Sequence, residues 1–296
     1  YIYRPLRRDP NRRWEEENNI VRHALCPMVV AKAYAFRPDP ELLRSARKGI
    51  DYSLSLLRHN GDRCAIWHQD HETSEENAKM GTVAVTIQSI LSLAQHTSIE
   101  DLEDELQCLA NQLIAMQGEN GQFVHYDVPR GHPFRGRHNT IYPGEIMLAL
   151  SMLYEHTRDE RYRESFHRAF RYHRSWFQRT RRNTQDDGIY NESTRVALIS
   201  FEPWGIMAMN NMHRLVEGEA AEEYAEFAFE LVHFMDELFH FDFGRAQYPD
   251  YLGGYFKTQL ELPAINSCTY TEGLAGAFAL ALRTGEHFDE RRIALL

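Results

Sequence analysis

The chain has 296 residues, with 33 Lys and Arg against 43 Asp and Glu and a net charge of −10, so binding of nucleic acid through counterion release is not expected. A composition 43% hydrophobic and 26% charged excludes disorder and suffices for a large core. The richest apolar stretch, 24–36, is broken by Pro27 and Lys32, well short of the roughly 18 uncharged residues of a membrane span.

Cys26, Cys64, Cys108 and Cys268 form no C-x-x-C pair, which predicts a reducing compartment and no zinc cage. No charged start precedes an apolar signal core, so a cytoplasmic protein is expected.

Short polar connectors recur at Arg37, Thr97, Thr157, Glu217 and Thr284, at spacings of 60, 60, 60 and 67 residues. Such a period accommodates two helices of about 20 residues, one short turn and one longer loop. Helices are predicted over 15–36, 39–59, 75–96, 99–117, 143–156, 158–179, 203–216, 219–239 and 263–284, with a partial one after 286. Apolar residues recur at helical spacing, as in Leu42, Leu43, Ala46, Ile50, Leu54 and Leu57. The capping box Thr73-x-x-Glu76 and Pro143, Pro203 and Pro263 at first helical positions mark starts. No strand is predicted.

Odd-numbered helices carry small residues and even-numbered ones carry charge along one face. Small side chains permit close approach, so the odd helices would form an inner ring and the even ones an outer ring. The prediction is an all-α fold, an α/α toroid or barrel, as a single domain over 1–296. The long connections, 60–74, 118–142, 180–202 and 240–262, would then share one rim, where chemistry commonly sits.

The rim holds Trp67-His68-Gln69-Asp70-His71-Glu72. A carboxyl between two imidazoles is an acid when buried, a weak metal set through His68-x-x-His71, or part of a solvated loop. Rim aromatics would stabilise a desolvated cation by about 0.5 to 2 kcal/mol each, or stack on sugar rings. Residues 117–123 end a helix and turn at Gly121, a structural device first. Glu145 and Glu202 stand beside prolines at expected inner-helix N-termini, where the helix dipole favours their ionised forms. Nine Arg between 158 and 182 face an acidic stretch of 217–237, which reads as mutual attraction of neighbouring helices or as a basic face for peripheral contact with an anionic membrane.

Two resemblances follow. Asn19-Ile-Val-Arg22-His-Ala, Asn77-Ala-Lys-Met-Gly81, the segment from Tyr142 to Leu150 and that from Asn266 to Gly273 resemble α/α-barrel enzymes acting on sugars and uronic acids. The segment from Gln117 to Phe123 resembles a degraded Q-x-x-x-G-x-W repeat of class II terpene cyclases, in particular the single-domain, meroterpenoid-forming variety, although the D-x-D-D motif is absent. The second resemblance implies a protonation-initiated cyclase without cofactor or metal, taking a lipophilic isoprenoid such as a prenylated aromatic acid. It implies Asp70 as proton donor, His68 or His71 as its partner, and Trp67, Phe123, Tyr142, Tyr190, Phe201 and Trp204 as cation-stabilising lining, with Arg22 or His125 holding the substrate carboxylate. The alternative is a uronosyl epimerase or glycosidase using Glu145, Glu202 or Tyr190 as acid and base. A third reading is a non-catalytic scaffold.

Overall fold

The computed structural model describes residues 19–69, 76–128, 136, 141–187, 192–239, 244, 248–255 and 266–285, without the side chains of 182–187, 192–196, 237–239 and 266–267. The chain divides into two compact units, Tyr1–Gln117 with Val124–Arg137, and Gly118–Phe123 with His138–Leu296.

The first unit contains α1 (Ile20–Phe36), α2 (Pro40–Leu54), β1 (Leu57–Asn60), β2 (Arg63–Ile66), β3 (His68–Gln69), β4 (Glu76–Lys79), α3 (Met80–Ala94), α4 (Glu103–Ala115) and β5 (Tyr126–Asp127). Helix α3 packs on α1, and α2 and α4 each pack on α3. Every residue of α3 from Met80 to Leu93 is buried, whereas α2 buries only Ala46, Ile50 and Ser53. That contrast is the inner and outer division expected from composition. Pro27 lies inside α1 with Gly49 of α2 against its ring, at a distance where a Cβ would come within 2.6 Å of Cγ. At this point a serine from α3 enters the ladder of α1: the Met28 amide donates to Ser89 Oγ at 3.1 Å, and that hydroxyl donates to the Ala24 carbonyl at 2.6 Å. A side chain inserted into the i to i−4 ladder is one of the established ways to accommodate a bend.

The short strands β1 to β5 among the described residues depart from the sequence expectation. β1 and β2 form an antiparallel hairpin, and β3, β4 and β5 form a small antiparallel sheet. They run two to four residues and are largely polar, so they have no period-2 pattern long enough to read. Glu76 lies in β4 and α3 starts at Met80, which removes the predicted capping box. Cys64 of β2 and Cys108 of α4, 44 residues apart, are joined as a disulfide, where the spacing predicts separate thiols.

The second unit contains α5 (Pro143–Thr157), α6 (Glu160–Asp187), α7 (Glu192–His213), α8 (Glu219–Phe239) and α9 (Asn266–Thr284). Helix α7 packs between α5 and α9, with α6 against α5 and α8 against α7. The outer helix α6 buries Tyr162, Phe166, Phe170, His173 and Phe177, one stripe at spacings of three and four. Across α6 and α8, Arg174 pairs with Glu226 at 3.0 Å and with Glu223 at 3.6 Å, and Arg181 with Glu230 at 3.6 Å. Arg174 and Arg181 of the basic stretch are thereby held by its acidic neighbour, the mutual attraction of adjacent helices that the charge pattern suggests. No described helix is long and apolar enough to cross a membrane.

Pro143 opens α5 as predicted, but Pro203 lies inside α7, which begins at Glu192. Proline 203 has no amide to donate to the Ile199 carbonyl, and Gly273 of α9 packs on it so closely that a Cβ would come within 2.8 Å of Pro203 Cα. Gly144 of α5 presses on the same turn of α7, 2.6 Å in the same sense from Trp204 Cβ and 2.9 Å from the Phe201 carbonyl oxygen. Two glycines thus draw the flanking inner helices onto residues 201–205.

Candidate active site

In the first unit, the residues put forward by the sequence divide. Asp70 and His71 lie outside the described residues, so the predicted acid has no described environment. Trp67 and His68 are half-buried, with the Trp67 amide donating to the Leu56 carbonyl at 3.0 Å and His68 opposite Asn77 in the β3–β4 pair. The Arg58 guanidinium sits 5.3 Å from the Trp67 ring centre and holds Glu76 through two hydrogen bonds of 2.7 and 3.0 Å. That ion pair keeps the exposed Glu76 carboxylate below its ordinary range. The face of Trp67 therefore already carries a cation. His125 is buried beside Tyr126, ring centres 4.1 Å apart, and its carbonyl accepts from the Met80 amide at 3.0 Å. Arg22 is exposed, its amide capped by the Asn19 side chain at 3.2 Å.

In the second unit, Tyr190 lies outside the described residues. Phe123 is fully buried beyond a turn in which Gly121 adopts φ +92° and packs on the Arg168 carbonyl, where any Cβ would collide. The segment is the structural device that its glycines suggest. Phe201 stacks on His173 of α6, ring centres 5.0 Å apart and planes 25° apart, with Trp176 edge-on at 6.1 Å. Trp204 packs on Gly144. Phe123, Phe201 and Trp204 are thus packed core, not the open lining required to shelter a carbocation. Tyr142, half-buried, is the residue preceding α5.

The same helices carry two buried carboxyls. Glu145, in the first turn of α5 and 7% exposed, has its pKa pushed up to about 8 by desolvation, against a smaller opposing pull from a backbone hydrogen bond. Glu202, completely buried on α7, has neither carboxyl oxygen in a hydrogen bond, and desolvation pushes it well above the carboxylate range. The helix-dipole expectation of ionised acids is overturned at both positions. A dipole contributes about 0.3 to 1 kcal/mol near a helix end, too little against burial, and Glu202 is mid-helix. Desolvation raises the Tyr255 and Tyr270 hydroxyls, with smaller contributions from Asp236 and then Glu202 at Tyr255 and from Glu202 and Tyr255 at Tyr270. These two rings lie 4.6 Å apart, and the Tyr270 hydroxyl is itself buried without a hydrogen bond.

His173 completes this region and was not singled out by sequence reasoning. Both its ring nitrogens are buried without a partner, and desolvation lowers its pKa to about 3. The readable signal was a histidine in register with Tyr162, Phe166, Phe170 and Phe177 on one apolar face.

No protein-family model and no curated protein matches the chain. Solved structures do. A GH76 α-mannanase of Bacteroides thetaiotaomicron superposes with a TM-score of 0.59 at 15% identity, over 89% of this chain and 70% of its own. An inactive variant of the GH76A α-1,6-mannanase of Salegentibacter sp., with two adjacent aspartates replaced by asparagine and α-1,6-mannotriose bound, superposes with 0.64 at 12% identity, over 90% and 77%. A sugar epimerase from a ruminal bacterium gives 0.56 at 11% identity, over 90% and 75%.

These similarities overturn the terpene-cyclase resemblance and with it the lipophilic isoprenoid substrate, since the similar structures are mannanases and a sugar epimerase. The only adjacent aspartates in this sequence are Asp186 and Asp187, at the end of the outer helix α6, with side chains outside the described set. The chain is an all-α protein with the α/α-barrel fold.

Proposed function

We propose that this protein is a carbohydrate-active enzyme in which Glu145 works as the proton-donating acid. The observation that carries the reading is a carboxyl held neutral at pH 7 in the first turn of an inner helix, its pKa about 8, in a fold shared with sugar-processing enzymes. A catalytic acid is most effective when its pKa lies near the working pH. Glu145 stands in the first turn of α5, at the helix end where a connecting loop enters, whereas Glu202 is completely buried in the middle of α7. The chemistry is proton delivery to a glycosidic oxygen, or to the carbanionic carbon left after a separate base has removed a proton from the sugar, and the two are separated by product.

The test incubates the full chain with α-1,6-linked manno-oligosaccharides and with free reducing disaccharides in heavy water. Release of reducing ends identifies a hydrolase, and deuterium entering a sugar carbon identifies an epimerase. Glu145→Gln should lower either activity by about 10²- to 10⁴-fold with the fold intact by circular dichroism. Full activity in that variant, or failure to process any sugar, sinks the reading.

A further inference from the structure

The geometry points to a redox-gated zinc site in the first unit, formed by His59, Cys64 and Cys108 and independent of the proposed chemistry at Glu145. The β1–β2 register sets His59 directly opposite Cys64, and α4 carries Cys108 against the pair. The Cα atoms of Cys64 and Cys108 are 5.3 Å apart, and Cys108 Sγ lies 3.5 Å from His59 Nδ1. All three ligating atoms fall within 4.8 Å of one another. Zinc bonded to sulfur at about 2.3 Å and to nitrogen at about 2.0 Å in a tetrahedron separates its ligands by about 3.3 to 3.8 Å, so the histidine already stands at ligating distance from Cys108.

The hairpin is tied to α4 by the Asn111 side-chain amide donating to the Asp62 carbonyl at 2.9 Å, which fixes the donors on supports joined outside the site. Cys64 and Cys108 are buried and His59 is exposed. The sulfurs thus face the protein, and the fourth position opens to water, as in three-ligand zinc sites. Two thiolates and an imidazole favour a soft or borderline ion over calcium or magnesium.

The gate is the bond between the two sulfurs. In the disulfide neither sulfur is a thiolate and the site is closed. A phosphine reductant delivers two electrons to the S–S bond, water supplies the oxygen of the phosphine oxide and the two protons of the thiols, and the free thiols then release those protons as Zn2+ binds. Reoxidation removes two electrons to an acceptor such as a small-molecule disulfide and expels the ion.

The experiment titrates Zn2+ into the full chain against a chromophoric chelator, before and after phosphine reduction. One ion per chain is expected after reduction and none before it. Cobalt substitution should give a thiolate charge-transfer band in the reduced wild-type chain, a readout that needs no variant. Cys64→Ser and Cys108→Ser should each abolish tight binding, and His59→Ala should weaken it by about tenfold or more. Replacing the exposed Cys26 and Cys268 with Ser should change nothing. A reduced chain that takes up no zinc and shows no cobalt band overturns the proposal, as does undiminished uptake by the Cys64→Ser, Cys108→Ser double variant.

Discussion

Each unit holds a proline inside an inner helix with a glycine of a neighbouring helix packed on it, Pro27 with Gly49 in the first and Pro203 with Gly273 in the second. Their polar surroundings differ. At Pro27 the Ser89 hydroxyl both accepts and donates, binding the backbone on either side. At Pro203 the adjacent Glu202 places a whole carboxyl where neither oxygen finds a hydrogen bond. The first arrangement is repair of a backbone defect. The second is a retained cost, and costs of that kind concentrate where chemistry is done.

The largest effect expected from this difference is on pH dependence. Glu145 is raised from 4.5 to about 8, so the folded state holds a proton that the unfolded state releases above pH 4.5. The contribution is complete below that value and is lost as pH rises through the folded pKa, at most about 5 kcal/mol over the interval. Glu202 acts in the same direction. Melting should therefore be lower at pH 8.5 than at pH 5.5 in calorimetry, and Glu202→Gln, which keeps shape and neutrality, should flatten the slope. A melting temperature that rises across that range contradicts neutral carboxyls.

Next in size is the glycine that seats α5 on α7. Gly144→Ala drives a Cβ to within 2.6 Å of Trp204 Cβ, which should cost about 3 kcal/mol, the upper end for overpacking. Gly276→Ala meets nothing nearer than 3.5 Å and should gain up to about 1 kcal/mol from helix propensity. Equal denaturation midpoints for the two variants would show that the inner helices do not pack so closely.

Ser89→Ala should cost about 1 to 3 kcal/mol by leaving the Met28 amide and the Ala24 carbonyl without their shared partner. Urea unfolding measures it, and a neutral outcome would break the contrast between repaired and unrepaired prolines. The smallest change should come from Arg174→Ala, where exposed pairing with Glu223 and Glu226 contributes about 0.2 to 1 kcal/mol and falls with salt. A salt-independent loss would point to packing of its stem on Phe170, whose ring centre lies 5.9 Å from the guanidinium carbon.

The alternation of small-residue and charged helices was legible because it expresses burial directly, as Met80 to Leu93 and the stripe from Tyr162 to Phe177 show. The start of α7 was not, because Pro203 reads locally as a first-turn residue and only the tertiary approach of Gly273 explains its place mid-helix. The acid state of Glu145 and Glu202 also escaped the sequence, since a dipole is visible in local order while desolvation is a property of the packed surroundings. Cys64 and Cys108 meet only because the hairpin turns its second strand toward α4, a contact that no spacing rule between them encodes.

His173, neutral beneath Phe201, sets the acid-side counterpart to those carboxyls. Its pKa falls from 6.5 to about 3 on folding, so its share of stability is present above 6.5 and drains away as the solution is acidified toward 3. One half of the protein is therefore squeezed from opposite directions: alkali asks the acids to ionise in a dry place, acid asks the imidazole to do the same. The result is a protonation window for this half of the chain, bounded by alkali on the side of Glu145 and Glu202 and by acid on the side of His173.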